Sequence, residues 1–185
     1  MSWIQQIDFM ILEWIQSHLQ GAALDLLMPT ITALGNGGWL FILLALVLLL
    51  SKRYRRQGYA LAVSLLLCLL VGNLFLKPLF ARLRPFEVAG LSELLISPPT
   101  DYSFPSGHTM ASFACGGVFW HYRRDFGRWS VVLLILAALI GFSRLYLYVH
   151  FPTDVLCGAL LGLVFAALAA HLCDRAGACR MQKGR

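Results

Sequence analysis

The sequence has few charged side chains. Asp, Glu, Lys and Arg make up 13% of its 185 residues, whereas hydrophobic residues make up 59%. This balance lies outside the range of soluble domains and indicates an integral membrane protein. The first twenty residues contain no Lys or Arg, so the basic start of a cleaved signal peptide is missing. We therefore expect membrane insertion to depend on the spanning segments themselves.

Cysteine occurs five times, but without the spacing of a metal site. The chain has no CxxC pair and no cluster of His and Cys, and three of the cysteines fall inside apolar segments. A disulfide framework and a zinc site are therefore not expected. No acidic cluster that would hold a metal ion is present either, and we predict no metal and no cofactor.

Apolar runs supply the membrane-spanning elements, because a helix needs roughly 18 to 20 apolar residues to cross a bilayer. The predicted spans lie near residues 36–51, 58–77, 104–122, 128–148 and 152–172. The third is the least apolar, but the chain has to return across the membrane between two basic loops. We predict an all-α polytopic transmembrane helical bundle with five clear spans, which forms one domain over residues 36–172.

The first 35 residues carry two amphipathic patterns. One helical stripe contains Ile4, Ile7, Ile11, Trp14 and Ile15, and a second contains Leu24, Leu27, Met28, Ile31 and Leu34. Amphipathic helices lie in the membrane interface more often than they cross the bilayer. We expect residues 1–35 to form two interfacial or half-inserted helices on the extracytoplasmic side. The alternative is a sixth span.

Basic residues indicate the orientation of the bundle. Eleven of them fall in two short loops and in the tail: Lys52, Arg53, Arg55, Arg56, Arg123, Arg124, Arg128, Arg175, Arg180, Lys183 and Arg185. The positive-inside rule makes this face cytoplasmic, including a basic tail at residues 173–185. The net charge of +6 therefore reflects membrane topology, and we predict no nucleic-acid partner.

The opposite face retains four basic residues, which are Lys77, Arg82, Arg84 and Arg144. Orientation rules leave such a face poor in Lys and Arg, so an anionic ligand is the better explanation. Lys77 and Arg84 are seven positions apart, two helical turns, and can point at one spot if the helix continues that far. The alternative is that both side chains snorkel towards lipid headgroups.

The segment PSGH, residues 105–108, combines a helix start with a histidine. Pro105 is suited to begin a helix, and the N–H groups of Ser106 and Gly107 then lack intrahelical partners. Such N–H groups bind anions, and His108 follows in the first turn. Alternatively, Ser106 only caps the helix and His108 lies at a wet interface.

The segment SRLYLYVHFPTD, residues 143–154, places an arginine, a histidine and an aspartate at the junction of two apolar spans. Asp154 follows His150 by one helical turn, so its carboxylate can accept a hydrogen bond from one ring nitrogen and leave the other free. This arrangement resembles the base and orienter of nucleophilic catalysis. A structural hydrogen bond between a loop and a helix is the alternative.

The span assignment brings all three segments to the same face. Three cations, a Ser-Gly helix start, two histidines and one carboxylate would then surround one pocket at the membrane surface. Such a set suits a tetrahedral dianion, because cations and N–H groups bind its oxygens while one histidine attacks and the other protonates the leaving oxygen. The predicted reaction is phosphoryl transfer.

The three segments also resemble a known family. K-x6-RP at residues 77–85, PSGH at 105–108 and SR-x5-H-x3-D at 143–154 are similar to the three signatures of the type 2 phosphatidic acid phosphatase superfamily. The resemblance implies a metal-independent phosphatase in which His150 attacks phosphorus, Asp154 holds its ring, and His108 protonates the leaving oxygen and later activates water. It implies that the phosphate is bound by Lys77, Arg84, Ser106, Gly107 and Arg144. Arg82 lies outside the signature, and a contact with a lipid headgroup or second phosphate is one hypothesis for it.

The expected substrate is a phosphate whose lipid tail stays in the bilayer. Small bacterial proteins of this superfamily act on undecaprenyl diphosphate, phosphatidylglycerol phosphate or phosphatidic acid. The small size of the chain favours undecaprenyl diphosphate, with an extracytoplasmic site in the bacterial plasma membrane. The alternatives are phosphatidylglycerol phosphate or phosphatidic acid as substrate, a lipid phosphotransferase, and an anion transporter. The sequence leaves open the oligomeric state and whether residues 86–104 form a lid.

Overall fold

The structure, a computed structural model, describes residues 3–183. All regular structure in these residues is helical. The helices are α1 (Trp3–Leu19), α2 (Ala22–Ala33), α3 (Trp39–Leu50), α4 (Arg55–Leu67), α5 (Lys77–Phe80), α6 (Pro85–Ala89), α7 (Gly107–His121), α8 (Arg123–Phe126), α9 (Trp129–Tyr146) and α10 (Pro152–Lys183). Nine residues in π-helical turns, Cys68–Leu76, join α4 to α5. The predicted all-α transmembrane bundle is confirmed.

Within residues 3–183, four helical stretches are long and apolar enough to cross a membrane. They are Ala22–Leu50, Arg55–Ala89, Trp129–Tyr146 and Pro152–Ala176. Helix α7, the third predicted span, has only 15 residues. It lies at the centre, packed against α10, α9 and α4, and its buried positions include Thr109, Ser112, Ala114 and Gly116. Its low hydropathy has a physical reason, because neighbouring helices rather than lipid cover it.

Glycine allows α10 to approach α7 closely. A Cβ atom at Gly158 would lie 2.7 Å from the backbone oxygen of Ser106 and 3.4 Å from the Cβ of Thr109. Small residues at such crossings let two backbones pack by van der Waals contact in the membrane. The first turn of α10, which follows His150 in the chain, therefore lies close to the start of α7.

The N-terminal helices pack on the end of α9 and the loop that follows it. Leu12, Ile15 and Met28 share a buried apolar cluster with Tyr146 and Phe151. Four residues of the stripe predicted on α1, Ile4, Ile7, Ile11 and Trp14, are exposed, as the lipid-facing side of an interfacial or spanning helix would be, whereas the fifth, Ile15, is buried. The buried face of α1 consists of Asp8, Leu12 and Ile15.

A turn separates α2 from α3, with φ of +56° at Gly37 and +69° at Gly38, where glycine avoids the strain that a Cβ brings. By length and composition, however, residues 22–50 count as one candidate span. The division of the chain at residues 35 and 172 stays a prediction. Helix α10 continues beyond residue 172 to Lys183, and the side chains of the predicted basic tail at Arg180, Lys183 and Arg185 lie outside the described residues.

Candidate active site

Lys77 and Arg84 meet at one carboxylate, although they belong to different elements. Helix α5 ends at Phe80, and Ala81 has a φ of +41°. Arg84 then adopts an extended conformation before α6, so the helix does not continue to Arg84 and the two side chains converge without it. Lys77 Nζ donates to Asp101 Oδ2, and Arg84 Nη2 donates to Asp101 Oδ1 at 2.6 Å. Both basic side chains are buried.

Asp101 projects from the loop between α6 and α7, and 56% of its side chain is exposed. Partial burial acts to raise its pKa, but hydrogen bonds and charges from Lys77 and Arg84 outweigh burial and hold the pKa at about 2. The backbone oxygen of Asp101 also accepts a hydrogen bond from Arg84 Nε at 2.7 Å. Near neutral pH the Asp101 carboxylate is therefore ionised and pairs with Lys77 and Arg84, the two cations that the sequence analysis assigns to phosphate.

Arg144 supplies the third cation from the last turn of α9. It is buried, and its Nη1 donates to Thr32 Oγ1 of α2 at 2.6 Å. Its Nε atom is buried without a hydrogen-bond partner. An unpaired buried donor costs about 1–3 kcal/mol or more when charged. The guanidinium therefore retains capacity for an anion.

His150 lies in the loop that joins α9 to α10 and is 1% exposed. Its Nε2 atom is 3.2 Å from Arg84 Nη1, which also donates to the Val149 backbone oxygen at 2.7 Å. Burial lowers the pKa of His150 well below its ordinary 6.5, and the positive charges of the nearby arginines and lysine lower it further. The imidazole is therefore neutral at neutral pH and keeps a lone pair on one nitrogen.

Asp154 lies behind the ring and contacts it indirectly. Its Oδ2 atom is 3.7 Å from His150 Nδ1, longer than a hydrogen bond. Ser103 Oγ donates to this carboxylate oxygen at 2.5 Å and lies 3.4 Å from His150 Nδ1. The structure thus places Ser103 between the two residues, where the sequence predicted a direct hydrogen bond. The Phe151 N–H fixes the same oxygen at 2.9 Å.

The PSGH segment forms the start of α7, which begins at Gly107 and not at Pro105. Ser106 is fully buried; its N–H donates to the Asp154 backbone oxygen at 3.2 Å, and its hydroxyl shares a hydrogen bond with Thr109 at 2.9 Å. His108 Nε2 lies 2.8 Å from Asn36 Oδ1. Gly35 leaves room for this ring, since a Cβ there would lie 2.8 Å from His108 Cδ2.

Two adjoining cavities meet at these side chains. The first has a volume of about 450 Å³ and is lined by Lys77, Arg84, Asp101, His108, Arg144 and His150 among others. The second, of about 520 Å³, shares Lys77, Asp101 and His108 with the first and extends between α3 and α4 along leucines such as Leu46 and Leu66. Gly107 lines the second cavity only, whereas Ser106 and Asp154 line neither.

The structure also identifies residues that the sequence analysis did not single out. Asp101 and Ser103 contact the predicted residues from a loop, and Thr32 and Asn36 contact them from the N-terminal third, where no local pattern distinguishes them. Asp8 could have been recognised from the sequence, because a carboxylate within an apolar helix requires a partner when it is buried. Arg82 donates to Asp8 and to Asp154 and is not among the residues that line the charged cavity.

A polytopic helical bundle with histidines, cations and an adjoining apolar cavity defines an integral membrane protein with a site for a lipid-linked anion. The model of one family, the PAP2 superfamily, matches residues 57–177, which include all three motifs. The chain belongs to this superfamily, as its motifs predict. Helices α1 to α3 precede the matched region.

Similar proteins agree with this assignment. An undecaprenyl-diphosphatase of Sulfolobus acidocaldarius is 34% identical over 84% of this chain and 74% of its own length. The crystal structure of Aquifex aeolicus LpxE has a TM-score of 0.73 at 28% identity and covers 87% of this chain and 93% of that one. A PAP2-type phosphatidylglycerolphosphate phosphatase from Bacillus subtilis has the same fold, with a TM-score of 0.78 at 24% identity over 95% and 88% of the two chains. The predicted class, a multi-pass membrane lipid phosphatase, is confirmed.

Proposed function

We propose that the chain hydrolyses the diphosphate of undecaprenyl diphosphate through a phosphohistidine at His150. The observation that carries the proposal is the union of a cationic cavity containing two histidines with an apolar cavity that extends into the bundle. The first suits a phosphate group and the second suits a hydrocarbon chain. The 34% identity to an undecaprenyl-diphosphatase supports this lipid as the first substrate to test.

Charge balance favours a dianionic group in the first cavity. Lys77, Arg84 and Arg144 contribute three positive charges, and Asp101 contributes one negative charge. A phosphate that takes the place of the Asp101 carboxylate would gain both of its cations and reach the unpaired Nε of Arg144. Hydrogen bonds from charged donors to phosphate are about twice as strong as neutral ones.

The reaction begins at His150, whose Nε2 atom faces Arg84 rather than Asp154. Its lone pair forms a bond to phosphorus while the bond from phosphorus to the bridging oxygen breaks. His108, protonated once the bound dianion offsets the positive charges of Lys77, Arg84 and Arg144, gives its proton to the departing lipid phosphate. His108 then removes a proton from water, whose oxygen attacks phosphorus and releases inorganic phosphate from His150. General acid–base assistance of this kind contributes about 10²- to 10⁴-fold.

The remaining residues hold these groups in place. Ser103 and Asp154 fix the Nδ1 side of the ring, while the N–H groups at Ser106 and Gly107 lie at the start of α7, where the helix dipole favours negative charge. The Ser106 N–H donates to the Asp154 backbone oxygen. We propose that this N–H stabilises the start of α7 and also contributes to phosphate binding.

The proposed orientation places this site on the extracytoplasmic side and the C-terminus in the cytoplasm. Residues 52–56 lie at the start of α4, and the far end of the same continuous helical stretch carries Lys77. The basic loop and the candidate site therefore lie at opposite ends of one span. The positive-inside rule then puts the loop in the cytoplasm.

The test uses the purified full-length chain in detergent with excess chelator. Undecaprenyl diphosphate, phosphatidylglycerol phosphate and phosphatidic acid are supplied in parallel, and free phosphate is measured. We expect release from undecaprenyl diphosphate that vanadate inhibits and the chelator does not. His150→Ala should abolish it, whereas His171→Ala, at an exposed histidine of α10, should retain it.

Three outcomes would contradict the proposal. Near-native turnover by His150→Ala would show that His150 is not the nucleophile. Preferred hydrolysis of either glycerolipid would show that undecaprenyl diphosphate is not the substrate. Passage of intact phosphate across vesicle membranes without ester cleavage would indicate a transporter instead. Trapping a 32P-labelled intermediate that is labile in acid and stable in base would support the phosphohistidine directly.

A further inference from the structure

Asp8 is a buried carboxylate on the N-terminal helix, far in sequence from every motif. It is 1% exposed. Its Oδ1 atom accepts the Thr153 N–H at 3.0 Å, and its Oδ2 atom accepts the Thr153 hydroxyl at 2.6 Å and Arg82 Nη2 at 2.7 Å. Burying a charge is costly unless it is paired and hydrogen-bonded. The complete set of partners therefore gives this carboxylate a defined position beside the first turn of α10.

Arg82 connects Asp8 to the residue behind the proposed nucleophile. Its Nη1 atom donates to Asp154 Oδ1 at 2.6 Å and to Thr153 Oγ1 at 2.8 Å. Its guanidinium lies over the Phe151 ring at 4.1 Å from the centroid. Arg82 binds the Asp154 oxygen opposite the one that Ser103 binds, so the two contacts hold both sides of the carboxylate.

We propose that Asp8 is a positioning residue of the active site, which acts through Arg82 to orient Asp154 and to set the electrostatic surroundings of His150. This inference rests on the proposed role of His150. It makes helix α1, which lies outside the family match at residues 57–177, part of the machinery. Negative Asp8, positive Arg82 and negative Asp154 form an alternating row that ends at the imidazole.

The row predicts effects of opposite sign. Removing the negative charge at Asp8 leaves Arg82 less compensated, which disfavours the protonated form of His150. Removing the positive charge at Arg82 favours that protonated form. Other groups that face His150 are unchanged by either substitution; they are Lys77 from α5, Arg84 before α6, Asp101 and Ser103 from the loop, His108 from α7 and Arg144 from α9.

The experiment measures His150 by two methods in the full-length protein. One is NMR titration of the His150 ring in detergent with 15N-labelled histidine, assigned by its loss in His150→Gln. The other is hydrolysis of undecaprenyl diphosphate. Asp8→Asn should shift the His150 titration to lower pH, and Arg82→Gln should shift it to higher pH. Each should lower kcat about tenfold with KM within about twofold, similar to the smaller losses seen when outer partners of metal-bound histidines are removed.

A matched control is Asp25→Asn. Asp25 of α2 accepts the Tyr146 hydroxyl at 2.5 Å, so this variant also breaks a tie between the N-terminal helices and α9, but it does not reach Asp154. It should leave the His150 titration in place. Arg82→Lys, which keeps the charge, should shift the titration less than Arg82→Gln.

The proposal is overturned if Asp8→Asn and Arg82→Gln move the titration in the same direction or leave it where it is. The proposal is also overturned if Asp8→Asn and Arg82→Gln lose kcat only in proportion to a lower melting temperature, in the same way as the control Asp25→Asn. If Asp8→Asn does not fold, the contrast between Arg82→Gln and Arg82→Lys decides. Because the NMR arm needs no substrate, an incorrect lipid assignment would abolish the hydrolysis arm alone and leave this test intact.

Discussion

Replacing Asp101 with asparagine is expected to tighten the binding of phosphate-like anions. The carboxylate of Asp101 accepts hydrogen bonds from both Lys77 and Arg84, so an incoming anion has to displace it. Asparagine keeps the shape of the side chain and removes its charge. The competition should therefore weaken, although the cations stay in place.

The magnitude follows from the pKa of Asp101, which falls from an ordinary 3.8 to about 2. A difference of this size corresponds to at most about 2.5 kcal/mol of interaction between the carboxylate and its cations. Because 56% of the side chain is exposed, solvent screening reduces the useful part to roughly 1 kcal/mol. About 1 kcal/mol is a gain in affinity of about fivefold.

The assay is inhibition by vanadate of the purified enzyme, with Glu93→Gln as the control. Glu93 lies exposed on the same loop, and its replacement changes the net charge equally. We expect Asp101→Asn to lower the vanadate inhibition constant about fivefold and Glu93→Gln to leave it within about twofold. The ratio of the inhibition constants of the wild type and Asp101→Asn should stay constant from pH 5 to pH 8, because the wild-type carboxylate is ionised throughout that range. Weaker vanadate binding in Asp101→Asn would refute the reasoning and would indicate that Asp101 orients the cations for phosphate.

Three further predictions concern the nucleophile and its supports. Because the pKa of His150 lies below 6.5 and the neutral ring attacks, the acid limb of kcat/KM, corrected for ionisation of the substrate phosphate near pH 6, should lie below pH 6.5; a limb above that value would contradict the assignment. Ser103→Ala should lower kcat about tenfold, since a lost buried hydrogen bond costs about 1–3 kcal/mol, whereas Ser64→Ala, at a buried serine bonded only within α4, should not change turnover. Gly158→Ala should lower the free energy of unfolding in detergent by about 1–3 kcal/mol through overpacking, while Gly21→Ala, where a Cβ meets nothing within 4 Å, should be neutral.

The sequence predicted the elements of the site better than their contacts. The motif spacing gave Lys77, Arg84, His108, Arg144 and His150, and the structure brings these five to one cavity. The spacing did not predict how Lys77 and Arg84 converge, because a positive φ after α5 ends the helix. Their common partner belongs to a loop with no periodic pattern, and only the folded chain reveals it.

Hydropathy predicted the helices that face lipid, but it gave only a weak signal for the interior helix α7. An apolar run marks a helix that lipid surrounds, whereas α7 is enclosed by other helices and can use Ser, Thr and Gly. The same reasoning explains why the outward stripe of α1 was easy to recognise and its functional face was not. Exposed Ile and Trp residues dominate the pattern, whereas Asp8, the buried carboxylate of α1, makes hydrogen bonds to α10.

The loop that carries Asp101 bears on how a phosphate enters. Its backbone is held at Asp101 and at Ser103, because Arg84 Nε donates to the Asp101 backbone oxygen at 2.7 Å and the Ser103 N–H donates to the Arg82 backbone oxygen at 2.9 Å. The Ser103 side chain is fully buried against Asp154, so withdrawing this stretch would break the support of His150. The Asp101 carboxylate, by contrast, is half exposed, and exposed side chains change rotamer within nanoseconds. Entry of a phosphate therefore calls for rotation of one side chain, and the backbone at residues 101–103 keeps its place.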